Sequence, residues 1–257
     1  MLRSLRSKLK SLGRQVRVKR RAVQLKWRFS RQFNEFCRLS RESSNRSCVR
    51  WEDRFPCLAD ATSTTAFDPH YIYHCAWAAR VLAELKPPVH VDISSSLYFC
   101  TQISAFFPVR FYDYRPAPIL LSNLQSARAD LTALPFPDRS IGSMSCMHVV
   151  EHIGLGRYGD PLGPDDDLKA MAELARVLSP GGSLLFVVPV GKPKVVFNAH
   201  RIYSYEQVVS AFGRLELKQF ALIPDNPLPV GLIVDADPAD VQNQNYACGC
   251  FLFRRSK

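Results

Sequence analysis

Residues 148–152 read HVVEH, two histidines and a glutamate in five positions, placed where the apolar run Ile141 to Met147 gives out. Imidazoles titrate near neutrality, so His148 can take a proton from a hydroxyl at pH 7, with Glu151 or His152 orienting its ring. The same letters fit H-x-x-E-H, the inverted zinc-protease pattern, in which a helix brings two histidines to one metal and the glutamate activates water. That chemistry needs a helix. Here a buried strand precedes the motif and Gly154 and Gly156 follow it, so a zinc hydrolase is the lesser reading and no metal ligand is assigned. Three acids recur upstream: Asp92 near the end of VHVDI, Asp113 after VRFY, and Asp130 before Leu131 and the turn LPFPD. Each stands where it could serve a ligand or cap the next turn, and residue type alone leaves both open.

Bringing these residues to one edge requires alternating strands and helices, which make a parallel sheet. Val89 to Ile93 predicts a strand, followed by Ser94, Ser95 and Ser96, whose hydroxyls are placed to cap a helix over 97–107. Val109 to Tyr112 predicts a second strand, with a proline-broken helical region over 116–126. Ile141 to Met147 predicts a buried strand whose carboxyl end carries the HVVEH residues, the edge at which ligands of open α/β sheets bind. GLGRYGDPLGPDDD then matches G-x-G-x-x-G through Gly154, Gly156 and Gly159, but no helix opens on the last glycine, so a mobile loop is expected rather than a phosphate cradle. Asp165, Asp166 and Asp167 suit the field at a helix start better than a cation. A helix over 168–178, SPGG, and Ser183 to Val190 follow, the last hydrophobic enough for the middle of the sheet. A helix over 205–212 precedes strands over 215–223 and 246–254, which lack a crossover helix and should pair antiparallel.

The 257 residues divide by charge. Residues 1–50 hold 16 Lys and Arg against Glu35 and Glu42, a net +14, whereas residues 51–257 sum to −3. Leu2, Leu5, Leu9, Leu12 and Val16 recur at helical spacing, and Trp27, Phe29, Phe33 and Phe36 extend the apolar character into a second helix before a polar break at Arg41 to Ser47. The expected organisation is a basic helical arm over 1–50 and an α/β domain over 51–257. No run is long and apolar enough to span a bilayer, and no secretory core follows the first charges. Docking on its own domain or a partner, lying on an anionic membrane surface through residues 1–40, and an Arg-rich presequence remain open for the arm; nucleic acid is a lesser candidate. Eight scattered cysteines read as reduced thiols of a cytoplasmic protein. Cys248 and Cys250 would face one side of a strand.

From about residue 68 onward, the order of elements and the runs D-x-x-x-LPFPD-x-S and RVLSPGGSLLFVVP resemble class I S-adenosylmethionine-dependent methyltransferases, with a Rossmann-like, seven-stranded, mostly parallel sheet. The runs HYIYHCAWAAR, HVDISS, FYDYRP, MHVVEHIGLGRYGDPLGP and FNAHRIYS are similar to a narrower family, domain of unknown function 268, linked at times to polysaccharide biosynthesis. The resemblance implies S-adenosylmethionine as cofactor. It places Asp92 near the amino-acid end, Asp113 on the ribose, and Asp130 with Leu131 on the adenine edge. His148 falls at the methionine end or the acceptor. Where the family has D-x-G-x-G-x-G, this chain has Asp92, Ser94, Ser96 and Tyr98, so Ser94 and Ser96 must bind the cofactor carboxylate through hydroxyls and N–H groups. Gly142 replaces the usual acid at the start of the fourth strand. The activity implied is methyl transfer to a hydroxyl of a sugar or other small acceptor; the alternative is a non-catalytic scaffold at a membrane surface.

Overall fold

The computed structural model describes residues 2–42 and 49–257, without the side chains of residues 2–12, 14 and 15. The chain divides into two compact units, residues 1–66 and 67–257. In the first, α1 runs unbroken over Leu2–Glu42, one helix where the sequence predicts two. Its aromatic residues suit a helix interior as well as an end, since nothing between 17 and 40 breaks the backbone ladder. Trp51 packs edge-on against Phe33 at 4.9 Å. Most of the polar break predicted at Arg41 to Ser47, and Cys48, lie outside the described residues. Among those described, the cysteines are free thiols and no helix is long and apolar enough to cross a membrane.

The second unit opens with α2 (Pro69–Leu85), which Asp68 caps by accepting from the N–H groups of His70 and Tyr71. Pro69 at the first helical position costs no hydrogen bond. The other helices are α3 (Leu97–Ile103), α4 (Asp166–Val177) and α5 (Tyr205–Ala211). The strands are β1 (His90–Ile93), β2 (Val109–Asp113), β3 (Leu124–Arg128), β4 (Ile141–Met147), β5 (Leu178–Val190), β6 (Lys194–Val196), β7 (His200–Ile202), β8 (Glu216–Ile223), β9 (Ile233–Val234) and β10 (Ala247–Arg254). The main sheet runs β3-β2-β1-β4-β5-β10-β8-β9, eight strands rather than the seven expected, because the two-residue β9 adds an edge. β10 pairs antiparallel with β8, as the missing crossover helix predicts, and also with β5. β6 and β7 form a separate hairpin. β3 replaces the helix predicted over 116–126; its LQSAR sequence is polar because the strand is an exposed edge, and so lacks the apolar signature of a strand.

Two cores cover the two faces of the sheet. Leu174, Leu184, Phe186, Phe212, Phe251 and their neighbours fill one; Trp77, Leu82, Phe99, Met147, Val187 and Cys250 fill the other. Cys248 and Cys250 both join the second, the single-sided packing their spacing predicts.

A polar chain crosses the centre of the sheet. His90 and Asp92 share a face of β1, and Ser143 and Ser145 share the facing side of β4. The His90 ring nitrogens each lie 2.8 Å from a serine oxygen, Nδ1 by Ser143 and Nε2 by Ser145, and Ser145 Oγ donates to Asp92 Oδ2. Since Ser145 gives its proton to Asp92, His90 donates through Nε2 and accepts from Ser143. Burial lowers the His90 pKa from 6.5 to about 3. A depressed folded pKa means that this stabilisation is complete above pH 6.5 and is lost as pH falls from there toward 3. Between pH 7.5 and 4.5, His90 should therefore cost the wild type roughly 2–3 kcal/mol of stability that His90→Gln does not lose. Denaturant melts of both proteins at the two pH values check this; parallel losses would refute it.

Candidate active site

The carboxyl ends of β1, β2 and β4 meet at a turn built from three serines. Ser94 adopts a left-handed conformation, φ +57°, which costs an L-residue about 1–2 kcal/mol. The conformation that glycine favours is thus kept without the glycine. Strand contacts hold it there: the Ser94 N–H donates to Tyr112 O at 2.7 Å and its hydroxyl to the same oxygen at 3.2 Å. Ser95 N–H donates to Asp92 Oδ1 at 2.9 Å, and Ser95 Oγ accepts from Met147 N–H at 3.1 Å. Ser96 occupies the cap position of α3 without a side-chain cap bond. The hydroxyls of Ser94 and Ser95 therefore tie the turn to β2 and β4 rather than capping the helix, a correction to the sequence expectation. Its physical cause is that α3 begins only after the turn is already fastened.

Beside this turn lies a narrow cavity of about 110 Å³, walled by Ser94, Tyr114, Asp130, Leu131, Val149 and Tyr158 among others. Asp130 holds its own turn, its Oδ1 accepting from Thr132 N–H (2.8 Å) and Thr132 Oγ1 (2.7 Å). Asp113 stands just outside the wall, its Oδ1 accepting from Arg115 N–H at 2.7 Å. These bonds use one oxygen each, so Oδ2 of both carboxylates is left for a ligand among the described residues. Asp92 is different. It is fully buried, with both oxygens taken by Ser95 and Ser145, so it supports the turn from behind and does not face the cavity.

The roof is the segment between Ile153 and Asp165. Rather than a loose loop, it closes on itself: the Asp160 carboxylate accepts from the N–H groups of Gly154 (2.9 Å), Gly156 (3.3 Å) and Tyr158 (3.1 Å). Burial raises the Asp160 pKa, and these three N–H groups together with its own outweigh it to hold the group below its usual value. The glycine spacing does form an anion nest, but the chain fills it with its own carboxylate. Arg115 and Arg157 pack over the Tyr158 ring at 4.8 and 5.1 Å. Of the three acids at the start of α4, Asp166 pairs with Lys169 and Asp167 accepts from Tyr203 OH, which accounts for both without a cation.

His148 also adopts a left-handed conformation, φ +58°, and so turns away from the cavity that its neighbour Val149 lines. The His148 ring is buried, stacks on His70 and Tyr71 at 5.4 Å each, and lies 5.1 Å from His74. Its Nδ1 is 2.8 Å from Glu151 Oε1 and its Nε2 is 3.4 Å from Cys248 Sγ. Burial lowers its pKa to about 4, so it is a weaker proton acceptor than the sequence suggests. Of the two orienters predicted for it, Glu151 is in place. His152 is not, because its Nδ1 engages Ala199 O at 2.6 Å. Residues 150–152 form a single 3-10 turn, too short to converge the two motif histidines on one point as a zinc protease requires. His70, His148 and Cys248 do converge, with ligand atoms all within 4.8 Å of one another. Sequence reading missed His70; its signal was HYIYH, which puts His70 and His74 four residues apart on one face of α2.

The strand order, with β10 antiparallel between β5 and β8 and a cavity at the carboxyl ends of β1, β2 and β4, decides the fold. It is the class I methyltransferase fold. N-methyltransferase NodS from Bradyrhizobium japonicum, solved with S-adenosyl-l-homocysteine, superposes with a TM-score of 0.53 at 13% identity, over 79% of this chain and 92% of NodS. The 1,6-didemethyltoxoflavin-N1-methyltransferase of Burkholderia thailandensis, solved with bound 1,6-didemethyltoxoflavin and S-adenosylhomocysteine, gives 0.51 at 12% identity, over 76% and 94%. YcgJ of Bacillus subtilis gives 0.51 at 15%, over 72% and 99%. Residues 139–216, which include β4, the roof and β5, match the family described as Caenorhabditis protein of unknown function, DUF268. No curated protein matches the chain in sequence.

Proposed function

We propose that this protein is an S-adenosylmethionine-dependent methyltransferase acting on a hydroxyl of a small acceptor, with the cavity under Tyr158 as its nucleoside site. The observation that carries this reading is the left-handed Ser94 beside Leu131 and the free oxygen of Asp130. It combines the backbone shape, the apolar wall and the hydrogen-bond acceptor that a nucleoside needs. Ser94, Asp130 and Leu131 would hold the nucleoside, Asp113 Oδ2 would accept from ribose hydroxyls, and Asp92 and Ser95 would fix the turn. When bound, the cofactor supplies an electrophilic methyl group. The chain's part is to orient the acceptor and exclude water. His148, set by Glu151, lies on the acceptor side of β4. A sugar is the acceptor class suggested by the resemblance to domain of unknown function 268. Val16, Val23 and Trp27, exposed along one face of α1 among its basic residues, support an anionic membrane surface as a partner of the arm.

A second reading has its own support. Ligand cavities usually measure roughly 300–1,000 Å³, and this one is about 110 Å³, which favours a scaffold that has kept the fold and lost the ligand. Calorimetric titration of S-adenosylhomocysteine into the whole chain separates the two. The enzyme reading expects binding that Asp130→Ala weakens about 10-fold or more, through loss of a charge-assisted hydrogen bond. Equal affinity in the variant would remove Asp130 from the site, and no heat with the wild type would leave the scaffold.

A further inference from the structure

We propose that His70, His148 and Cys248 bind one zinc ion, leaving a fourth coordination position to water or to an acceptor heteroatom. The ligand set stands whether or not the chain binds a methyl donor. Zinc takes nitrogen at about 2.0–2.1 Å and thiolate sulfur at about 2.3 Å in a tetrahedron, which sets a nitrogen-to-sulfur edge of about 3.5 Å. The His148 Nε2 to Cys248 Sγ distance is 3.4 Å. His70, the third ligand, comes from α2, so the site joins a helix to the ends of two central strands.

Features around the ligands match what a metal needs. Glu151 accepts from His148 Nδ1 at 2.8 Å. A carboxylate behind a ligating imidazole fixes the tautomer and turns the other nitrogen's lone pair toward the metal. The second Glu151 oxygen is buried and lacks a hydrogen-bond partner among the described residues. A carboxyl group set that way costs stability unless a positive charge lies close. On binding, the Cys248 thiol releases its proton to solvent and its sulfur pair forms the bond to zinc. The resulting thiolate and the Glu151 carboxylate together cancel the two charges of the ion. His70 is only partly buried, beside Tyr71 and Tyr246, which gives the ion a route in. The site differs from the zinc-protease reading of HVVEH: Glu151 orients and does not activate water, and His152 is not a ligand.

The test uses the purified whole chain, stripped of metal and reloaded with zinc or cobalt. The wild type should hold one zinc per chain, and its cobalt form should show a thiolate-to-cobalt charge-transfer band. Cys248→Ser should abolish that band, and His70→Gln, at a partly exposed position, should weaken zinc affinity at least tenfold while circular dichroism shows an intact fold. Glu151→Gln should weaken it about 10–100-fold, as loss of an orienting partner does. Cys250→Ser, one strand position pair away, should leave band and stoichiometry unchanged. Substoichiometric zinc in the wild type, or a band that persists in Cys248→Ser, would overturn the proposal.

Discussion

Gly154→Ala should lower the melting temperature by roughly 6–12 °C, the response of a 150–250-residue protein to a loss of about 3 kcal/mol. Two costs add. Gly154 sits at φ +74°, where an L-side chain is strained, and a Cβ there would overlap the Gly163 carbonyl oxygen, a main-chain atom that cannot step aside. Gly154 N–H is also one of the three donors to Asp160, so displacing it opens the roof of the cavity as well as straining it. Gly159→Ala is the control. Its φ is similar, +83°, but a Cβ at that position would meet nothing within 4 Å, so only the strain of about 1 kcal/mol remains. Equal melting temperatures for the two variants would show that the approach of Gly154 to Gly163 is unimportant.

Arg201→Met should cost about 3–5 kcal/mol, the range for breaking a buried ion pair by removing one partner. Arg201 on β7 is 6% exposed. Its guanidinium donates to Ile153 O at 2.5 Å and to Pro164 O at 3.1 Å, the two ends of the roof, and its Nε lies 3.5 Å from Asp167 Oδ2. Methionine keeps the apolar stem and removes every donor, stranding two carbonyls and leaving Asp167 with Tyr203 alone. Arg201→Lys should recover only part of the loss, because one ammonium cannot reach both ends of the roof as a planar fork does. Thermal melts of both variants decide the point: a drop of under 2 °C for methionine would mean the clamp is dispensable.

The fold was legible where burial imposes a pattern. VHVDI, Ile141 to Met147 and SLLFVVPV announce central strands because both of their faces are covered. β3 did not, since LQSAR lies at an exposed edge and its residues answer to solvent. The acids at strand ends were legible as edge residues, but their aim was not: Asp92 and Asp130 have the same chemistry, and only the neighbouring Ser145 and Thr132 decide that one is sealed behind the turn and the other faces the cavity. His148 failed differently. Its position after β4 was clear, but the left-handed backbone that turns it toward Cys248, a hundred residues later, is a tertiary fact with no local signal. The serine turn misled in the opposite direction, because its hydroxyls suit a helix cap by sequence, whereas the strands take those of Ser94 and Ser95 and hold Ser94 left-handed.

The small volume beneath Tyr158 has a kinetic corollary. On the proposed reading, a nucleoside needs more room than this, so its capture should wait until the segment held by Asp160 and Arg201 swings out. Observed binding rates should plateau as ligand concentration rises, and apparent affinity should equal the intrinsic affinity multiplied by the fraction of molecules already open.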